Sequence, residues 1–403
     1  MARKDNKGRN LKTGESYRAT ENRYMYRYKD ERTGERVTVY ALDLAELREK
    51  EKEIQRRLDS GLLTTSEAKK TDLNTMYEHY RGTLQIRDAT LANYDALWEH
   101  HVRNDIGRMR MVDIKPSHIR TFYSDMTNKG YAWGTLKIIH GIFCPLFNLA
   151  MDDEIILRNP AMGNLEGYGV KPKEKVALTR EEQKRLFEFV ESSNSYNIHK
   201  PLLEIMIGTA CRVGEISGLT WEDVDLQRRE LTIDHQLIYK DLGEGWQFYR
   251  HEPKTEAGKR TIPISDTLYH AFVEQKKIQF MLGIHHDTEA AGLKNFVFTA
   301  KSGMPYAPNA LNNVLKNIVN AYNKNELKLA EKERRTPNEL PHLSCHSLRH
   351  TGCTRLAESG MDLKVLQYIM GHADASVTMD IYNHTSKERV FAEVEKMDAA
   401  MAV

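Results

Sequence analysis

The chain has 403 residues, 40% apolar, 29% charged and 8% aromatic, which excludes disordered, collagenous and fibrous proteins and leaves room for two or three domains. Its four cysteines, Cys144, Cys211, Cys345 and Cys353, lack C-x-x-C spacing and argue against a disulfide scaffold or zinc ribbon; its apolar runs, broken by Glu204, Pro145 and Asn148, fall short of the ~20 residues of a membrane span. A net charge of +2 is silent about a polyanionic partner, but the first forty residues hold eleven Lys/Arg against six Asp/Glu, so the basicity is local.

The N-terminus is basic with no apolar segment behind it, so no secretory signal is read and a cytoplasmic location is expected. Residues 24–29, YMYRYK, alternate so that Tyr24, Tyr26 and Tyr28 fall on one strand face and Arg27 and Lys29 on the other. ERTGE, with Gly34, followed by RVTVY predicts a hairpin, and residues 16–18 offer a third strand. Leu44, Leu47, Ile54 and Leu58 recur at helical spacing, with Gly61 beyond, so a helix over 43–58 covers the sheet. Residues 1–65 thus form a small module. Its Lys12, Arg23, Arg27 and Lys29 are either a solvated strand face or contacts to DNA phosphates.

From 71 to 162 the pattern is helical. Leu73, Met76, Tyr77 and Tyr80 make one stripe, and Leu91, Tyr94, Leu97 and Trp98 a second. Ile119, Phe122, Tyr123 and Met126 make a third after Pro116; Leu136, Ile139, Phe143, Leu146, Phe147 and Ala150 make a fourth over 134–151. Residues 163–175, rich in Gly and Lys, are too polar to pack and read as a linker. Thr179 and Glu182 form a capping box that opens the last domain, 176–403. Near its end, Val390, Phe391, Val394 and Met397 share a helical face, which packs on its own domain or docks on a neighbouring protomer.

Four segments of this last domain carry reactive residue types in a fixed order. Arg212 precedes Glu215 by three residues, which alone is an ordinary surface pair. Strand-like segments follow at 230–234, 235–239, 246–251 and 260–264, and Lys254 sits in the turn PKTEAGKR between the last two, with Lys259 as a second lysine there. His346 and Arg349 stand at i and i+3 on a helix, Gly371 and His372 end another, and Tyr382 follows ten residues on. Tyr368 lies in the stripe of Leu363, Leu366 and Ile369 and reads as core.

Arranged in this order, these residues resemble the tyrosine recombinases, or phage-type integrases, most closely the integrases of conjugative transposons, and the resemblance covers the whole chain. It implies a multidomain fold: a small N-terminal β-sheet plus helix module for arm-site DNA (1–65), an all-α core-binding domain (71–162), a linker, and a mixed α/β, mainly α, catalytic domain (176–403). It implies Arg212, Lys254, His346, Arg349, His372 and Tyr382 as the catalytic set, with Tyr382 the nucleophile and Glu215 in support. It further implies double-stranded DNA as partner at core and arm sites, a homotetramer on two DNA sites, an accessory bending or directionality protein, nucleoid association when bound, no membrane, and neither metal nor other cofactor.

The residue types suit that chemistry. Cleaving a phosphodiester without a metal needs fixed positive charge on the pentacoordinate transition state, and two forked guanidiniums provide it. A phenol of ordinary pKa ~10 needs help to lose its proton, for which His346 is the candidate, and the leaving 5′ oxygen needs a proton, for which Lys254 is. Competing readings are a zinc site from His342, Cys345, His346, His350 and Cys353, a two-metal nuclease using Asp152, Asp153, Glu154, Asp223 and Asp225, a DNA-binding regulator without chemistry, and a type IB topoisomerase.

Overall fold

The computed structural model describes residues 3–29, 36–59, 70–171, 177–253 and 255–374. The expected hairpin turn with Gly34, Gly61, Lys254, Tyr382 and the 388–397 segment lie outside the described residues. The chain divides into two compact units, Met1–Lys173 and Glu174–Val403.

In the first unit, β1 (Glu15–Arg18), β2 (Arg23–Lys29) and β3 (Arg36–Ala41) form an antiparallel sheet in the order β1-β2-β3. The period of two puts Tyr24 and Tyr28 inside, and Tyr24 packs with Ala41 and with Leu44 and Leu47 of α1 (Leu44–Asp59) in the small core. Arg23, Met25, Arg27 and Lys29 alternate onto the opposite face. Asp5 ties the preceding loop down: its carboxylate accepts from Arg9 Nε (2.7 Å) and from the Tyr24 hydroxyl (2.9 Å).

The helical part of this unit holds α2 (Leu73–Thr83), α3 (Asp88–Leu97), α4 (Pro116–Asn128) and α5 (Trp133–Asp152). The turn after α3 widens to a π-turn at Trp98–Val102, which buries Trp98 face to face on Tyr77 at 3.9 Å. Among the described residues α5 is the one helix with the length and apolarity to cross a membrane. Its Leu136, Ile139, Ile142, Phe143, Leu146, Phe147 and Ala150 are 0% exposed, so this apolar face is the core of the helical domain.

The expected linker starts later than its composition suggests. Leu165 is buried and Tyr168 packs on the same helical core. The Val170 N–H donates to Tyr131 O and Val170 O accepts from Trp133 N, both at 2.9 Å. Gly169, at φ +74°, lets the chain pass so close that a Cβ there would lie 2.6 Å from Trp133 Cα. Backbone pairing and one leucine hold the segment as far as 171; average polarity hid both.

In the second unit, α6 (Arg180–Ser192) opens on the expected capping box, Glu182 N to Thr179 Oγ1 at 3.1 Å and Thr179 N to Glu182 Oε2 at 2.8 Å. α7 (Lys200–Thr209) is almost wholly buried and is followed by α8 (Val213–Gly218). Strands β4 (Val224–Asp225), β5 (Glu230–Ile233) and β8 (Arg260–Pro263) make one antiparallel sheet, β6 (Gln236–Asp241) and β7 (Trp246–His251) a separate hairpin. Helices α9 (Asp266–Met281), α10 (Pro308–Glu333), α11 (Cys345–Glu358) and α12 (Leu363–Met370) complete the described fold. α11 lies backbone to backbone on α7: a Cβ on Gly352 would stand 2.1 Å from Ile207 O.

Tyr368 departs from its core assignment. It is 51% exposed, and its hydroxyl accepts from Thr261 N at 3.0 Å. Two residues past Leu366 it lies ~200° further round the helix, away from the inward Leu366, Ile369 and Met370.

Candidate active site

Three chain reversals in the second unit build the site. α7 ends with Ala210 in the left-handed region, φ +49°, which turns the chain so that Arg212 caps α8. α12 ends with Gly371 in the same region, φ +61°, and leaves its last carbonyls to accept from arginine side chains. α11 starts at Ser344, whose Oγ accepts from Ser347 N at 3.2 Å, and carries Arg349 inward on its second turn.

These reversals bring two guanidiniums to one turn. Arg212 Nη2 donates to Gly371 O at 2.9 Å and Nη1 to Glu215 Oε1 at 3.0 Å. Arg349, 3% exposed, donates from Nη1 to Ala210 O at 2.7 Å and from Nη2 to Met370 O at 2.6 Å and to His372 Nε2 at 2.9 Å. Among the described residues these bonds leave donors unspent on both arginines: Nε–H and one N–H on each Nη of Arg212, Nε–H and one Nη1–H of Arg349. A cleft of 590 Å³, lined by Arg212, Glu215, Pro253, Thr255, Gly371 and His372 among others, opens beside them.

Electrostatics fix the protonation states. Burial, then the Arg349 and Arg212 charges, push His372 down to about 4, so the ring is neutral at pH 7. Arginine only donates, so Nε2 is the acceptor and Nδ1 carries the proton. Burial and the nearby Arg212 push Arg349 down to about 10, which keeps it charged.

Glu215 is 3% exposed and would be costly as a lone charge. Burial opposes its ionisation, but hydrogen bonds from Arg260, the Arg260 charge and the Arg212 backbone N–H (2.8 Å) outweigh it and hold the carboxyl below its usual range. Arg260 was missed in the sequence. It heads β8, its side chain is 0% exposed, and it forks onto both Glu215 oxygens, 3.2 Å to Oε1 and 2.8 Å to Oε2. The strand pattern held the signal: Arg260 shares its face with inward Ile262, and a charge at an inward position demands a partner.

The remaining expected residues stand as follows. His346 is exposed at the start of α11, one turn before Arg349, with its ring edge-on to His350 at 4.7 Å. Lys254 and Tyr382 lie outside the described residues. Lys259 pairs with Glu252 at 3.1 Å, which raises its pKa, the wrong direction for a proton donor at neutral pH. Of the cysteines proposed for zinc, Cys345 and Cys353 are buried, and burial raises their thiols to about 12 and about 11. Among the described residues only Asp223, Asp234 and His235 gather three metal-type donors. His235 spends Nε2 on Gly218 O at 2.9 Å and Nδ1 on Asp234 at 2.5 Å, so neither ring nitrogen faces an open position.

On the N-terminal sheet, Arg27 and Lys29 are exposed, and Arg27 Nε donates weakly to Thr38 Oγ1 at 3.3 Å. Arg23 shares their face but is spoken for by an ion pair with Glu21 and by the Tyr40 ring, 4.3 Å from its guanidinium carbon. Lys12 is exposed before β1 rather than on a strand.

Fixed cations beside an open cleft, with a neutral histidine bonded to one of them, are an arrangement suited to an anionic group such as a phosphate. The phage integrase family profile matches residues 177–389, the profile of the DNA-binding domain of Tn916 integrase residues 1–58, and that of the N-terminal SAM-like domain of phage integrases residues 73–127. The transposase from transposon Tn1545 of Streptococcus agalactiae is 31% identical, over 98% of this chain and 96% of that protein. The transposase from Tn916 of Enterococcus faecalis matches with the same identity and shares. A Tn1549 transposon integrase fragment, solved with a circular intermediate DNA, is 27% identical with a TM-score of 0.70 and covers 81% of this chain and 99% of its own. The chain belongs to the phage integrase family and is a tyrosine recombinase, an enzyme of site-specific DNA recombination.

Proposed function

We propose that this recombinase moves a conjugative transposon or a related mobile element, acting in the cytoplasm as a homotetramer on two double-stranded DNA sites. Likeness to the Tn1545 and Tn916 transposases over nearly the whole chain supports the element class. The tetramer follows from the chemistry: joining two duplexes cuts four strands, and each cut occupies one tyrosine.

In this reading Arg212 and Arg349 clamp the scissile phosphate with their unspent donors, and His372 adds its Nδ1–H. Tyr382 attacks phosphorus with its phenolic oxygen, assisted by His346. The P–O5′ bond breaks, the 5′ oxygen takes a proton from Lys254, and a 3′-phosphotyrosyl ester remains. Religation reverses the step on a partner strand. One ester replaces another, so the exchange needs no external energy source. Glu215 orders Arg212 without facing the phosphate, where a carboxylate would oppose the reaction. The exposed face of Arg27 and Lys29 binds arm-site phosphates, Lys12 adds a further cation of the same module, and an accessory bending protein sets direction.

The convergence of Arg212, Arg349 and His372 on the Gly371 turn carries this reading. A nicked suicide substrate bearing the element's end tests it. The expected product is a denaturation-resistant adduct whose peptide maps to Tyr382, absent in Tyr382→Phe while site binding persists; an adduct on another residue overturns the assignment.

A further inference from the structure

We propose that Arg260 is a positioning residue of the reaction, clamping the base of the lysine-bearing loop to the end of α12 so that Lys254 reaches the leaving oxygen. The inference rests on the reading of Lys254 as the proton donor.

Every donor of Arg260 is in use. Nε donates to Ile369 O at 2.7 Å, Nη1 to Gly258 O at 3.0 Å and to Glu215 Oε1 at 3.2 Å, and Nη2 to Glu215 Oε2 at 2.8 Å and towards Cys211 Sγ at 3.7 Å. With five N–H groups committed, Arg260 has nothing left for a phosphate, so it acts through what it holds. It holds three things. Gly258 belongs to the loop after β7, Ile369 lies two residues before the Gly371 carbonyl that anchors Arg212, and Glu215 fixes Arg212.

The loop is narrow at its base. A Cβ on Gly258 would stand 2.4 Å from Pro253 Cβ, so the two ends of the 253–258 stretch touch. Pro253 and Thr255, the chain neighbours of Lys254, both line the cleft. Pinning Gly258 thus fixes the base of the stretch, where it meets Pro253. Stability alone does not call for an arginine here, because well-packed apolar residues commonly replace a buried ion pair without loss. What an apolar pair cannot do is bond two carbonyls and a carboxylate in one plane, tying loop, helix end and Arg212 together.

The test uses two nicked substrates and the full chain. One is ordinary; in the other sulfur replaces the bridging 5′ oxygen, so that the P–S bond breaks and a thiolate leaves without needing a proton. Arg260→Gln and Arg260→Lys, which also loosen Glu215 from Arg212, should cleave the ordinary substrate at least ~100-fold more slowly, the scale of a lost general acid, and regain on the sulfur substrate only the part of that loss owed to the acid. Gly258→Ala, which displaces the loop base while keeping Arg260, should show the same selective rescue. Lys254→Ala is the reference. If sulfur rescues Lys254→Ala but none of the Arg260 and Gly258 variants, the positioning role is overturned and the acid assignment stands. If sulfur fails to rescue Lys254→Ala, the acid assignment falls, and this inference with it.

Discussion

Arginine at 212 and 349 matters for its shape as much as its charge. Replacing Arg212 with lysine keeps the charge but removes the fork that spans Gly371 O and Glu215 Oε1, with donors to spare. We expect ~100-fold slower cleavage in Arg212→Lys with DNA affinity nearly unchanged, measured as single-turnover rate against equilibrium binding. His372 makes the second prediction. Its folded pKa of about 4 lies below the ordinary 6.5, so the unfolded chain takes up the proton first as pH falls. Its contribution is complete above pH ~6.5 and is lost as pH drops towards ~4, by at most about 3 kcal/mol. Urea unfolding at pH 7 and pH 5 should therefore show a smaller pH penalty in His372→Gln than in the unaltered chain; an equal penalty rejects the neutral, buried ring. Residue order on the chain discloses Arg212, Glu215, Arg349 and His372 as reactive types. It does not disclose that Glu215 is shared between two arginines, because the second, Arg260, stands 45 positions away and meets it only in the folded domain.

Among the elements, the helices whose stripes repeat cleanly were legible in advance. Leu73, Met76, Tyr77 and Tyr80 of α2 and Ile119, Phe122, Tyr123 and Met126 of α4 are all buried. What composition concealed were backbone contacts, which leave no hydrophobic trace. Residues up to 171 attach through the Val170 pairing, and α11 approaches α7 at Gly352 with no side chain between them. Gly352→Ala forces a methyl against Ile207 O and should destabilise the catalytic domain by about 2–3 kcal/mol, seen as a lower urea midpoint with an unchanged slope. A neutral result would mean that the two helices part at little cost.

Taken as a whole, the molecule has a net charge of +2, and its affinity for DNA must come from where charge is concentrated. Arg27 and Lys29 on the outer sheet face release counterions if they meet phosphates, so replacing both with alanine should flatten the slope of log affinity for arm-site DNA against log salt by about 1.8. An unaltered slope would take this face out of the DNA account. The arrangement around Arg212, Arg260 and Arg349 has a last implication for divergence. Ala210, Gly258, Ile369, Met370 and Gly371 anchor the guanidiniums by their main-chain oxygens, groups that every amino acid owns. Neighbouring side chains are thus free to drift between lineages without deleting an acceptor, provided the left-handed bends at Ala210 and Gly371 survive. A scaffold so built holds its cations by the course of the chain more than by the identity of the residues along it.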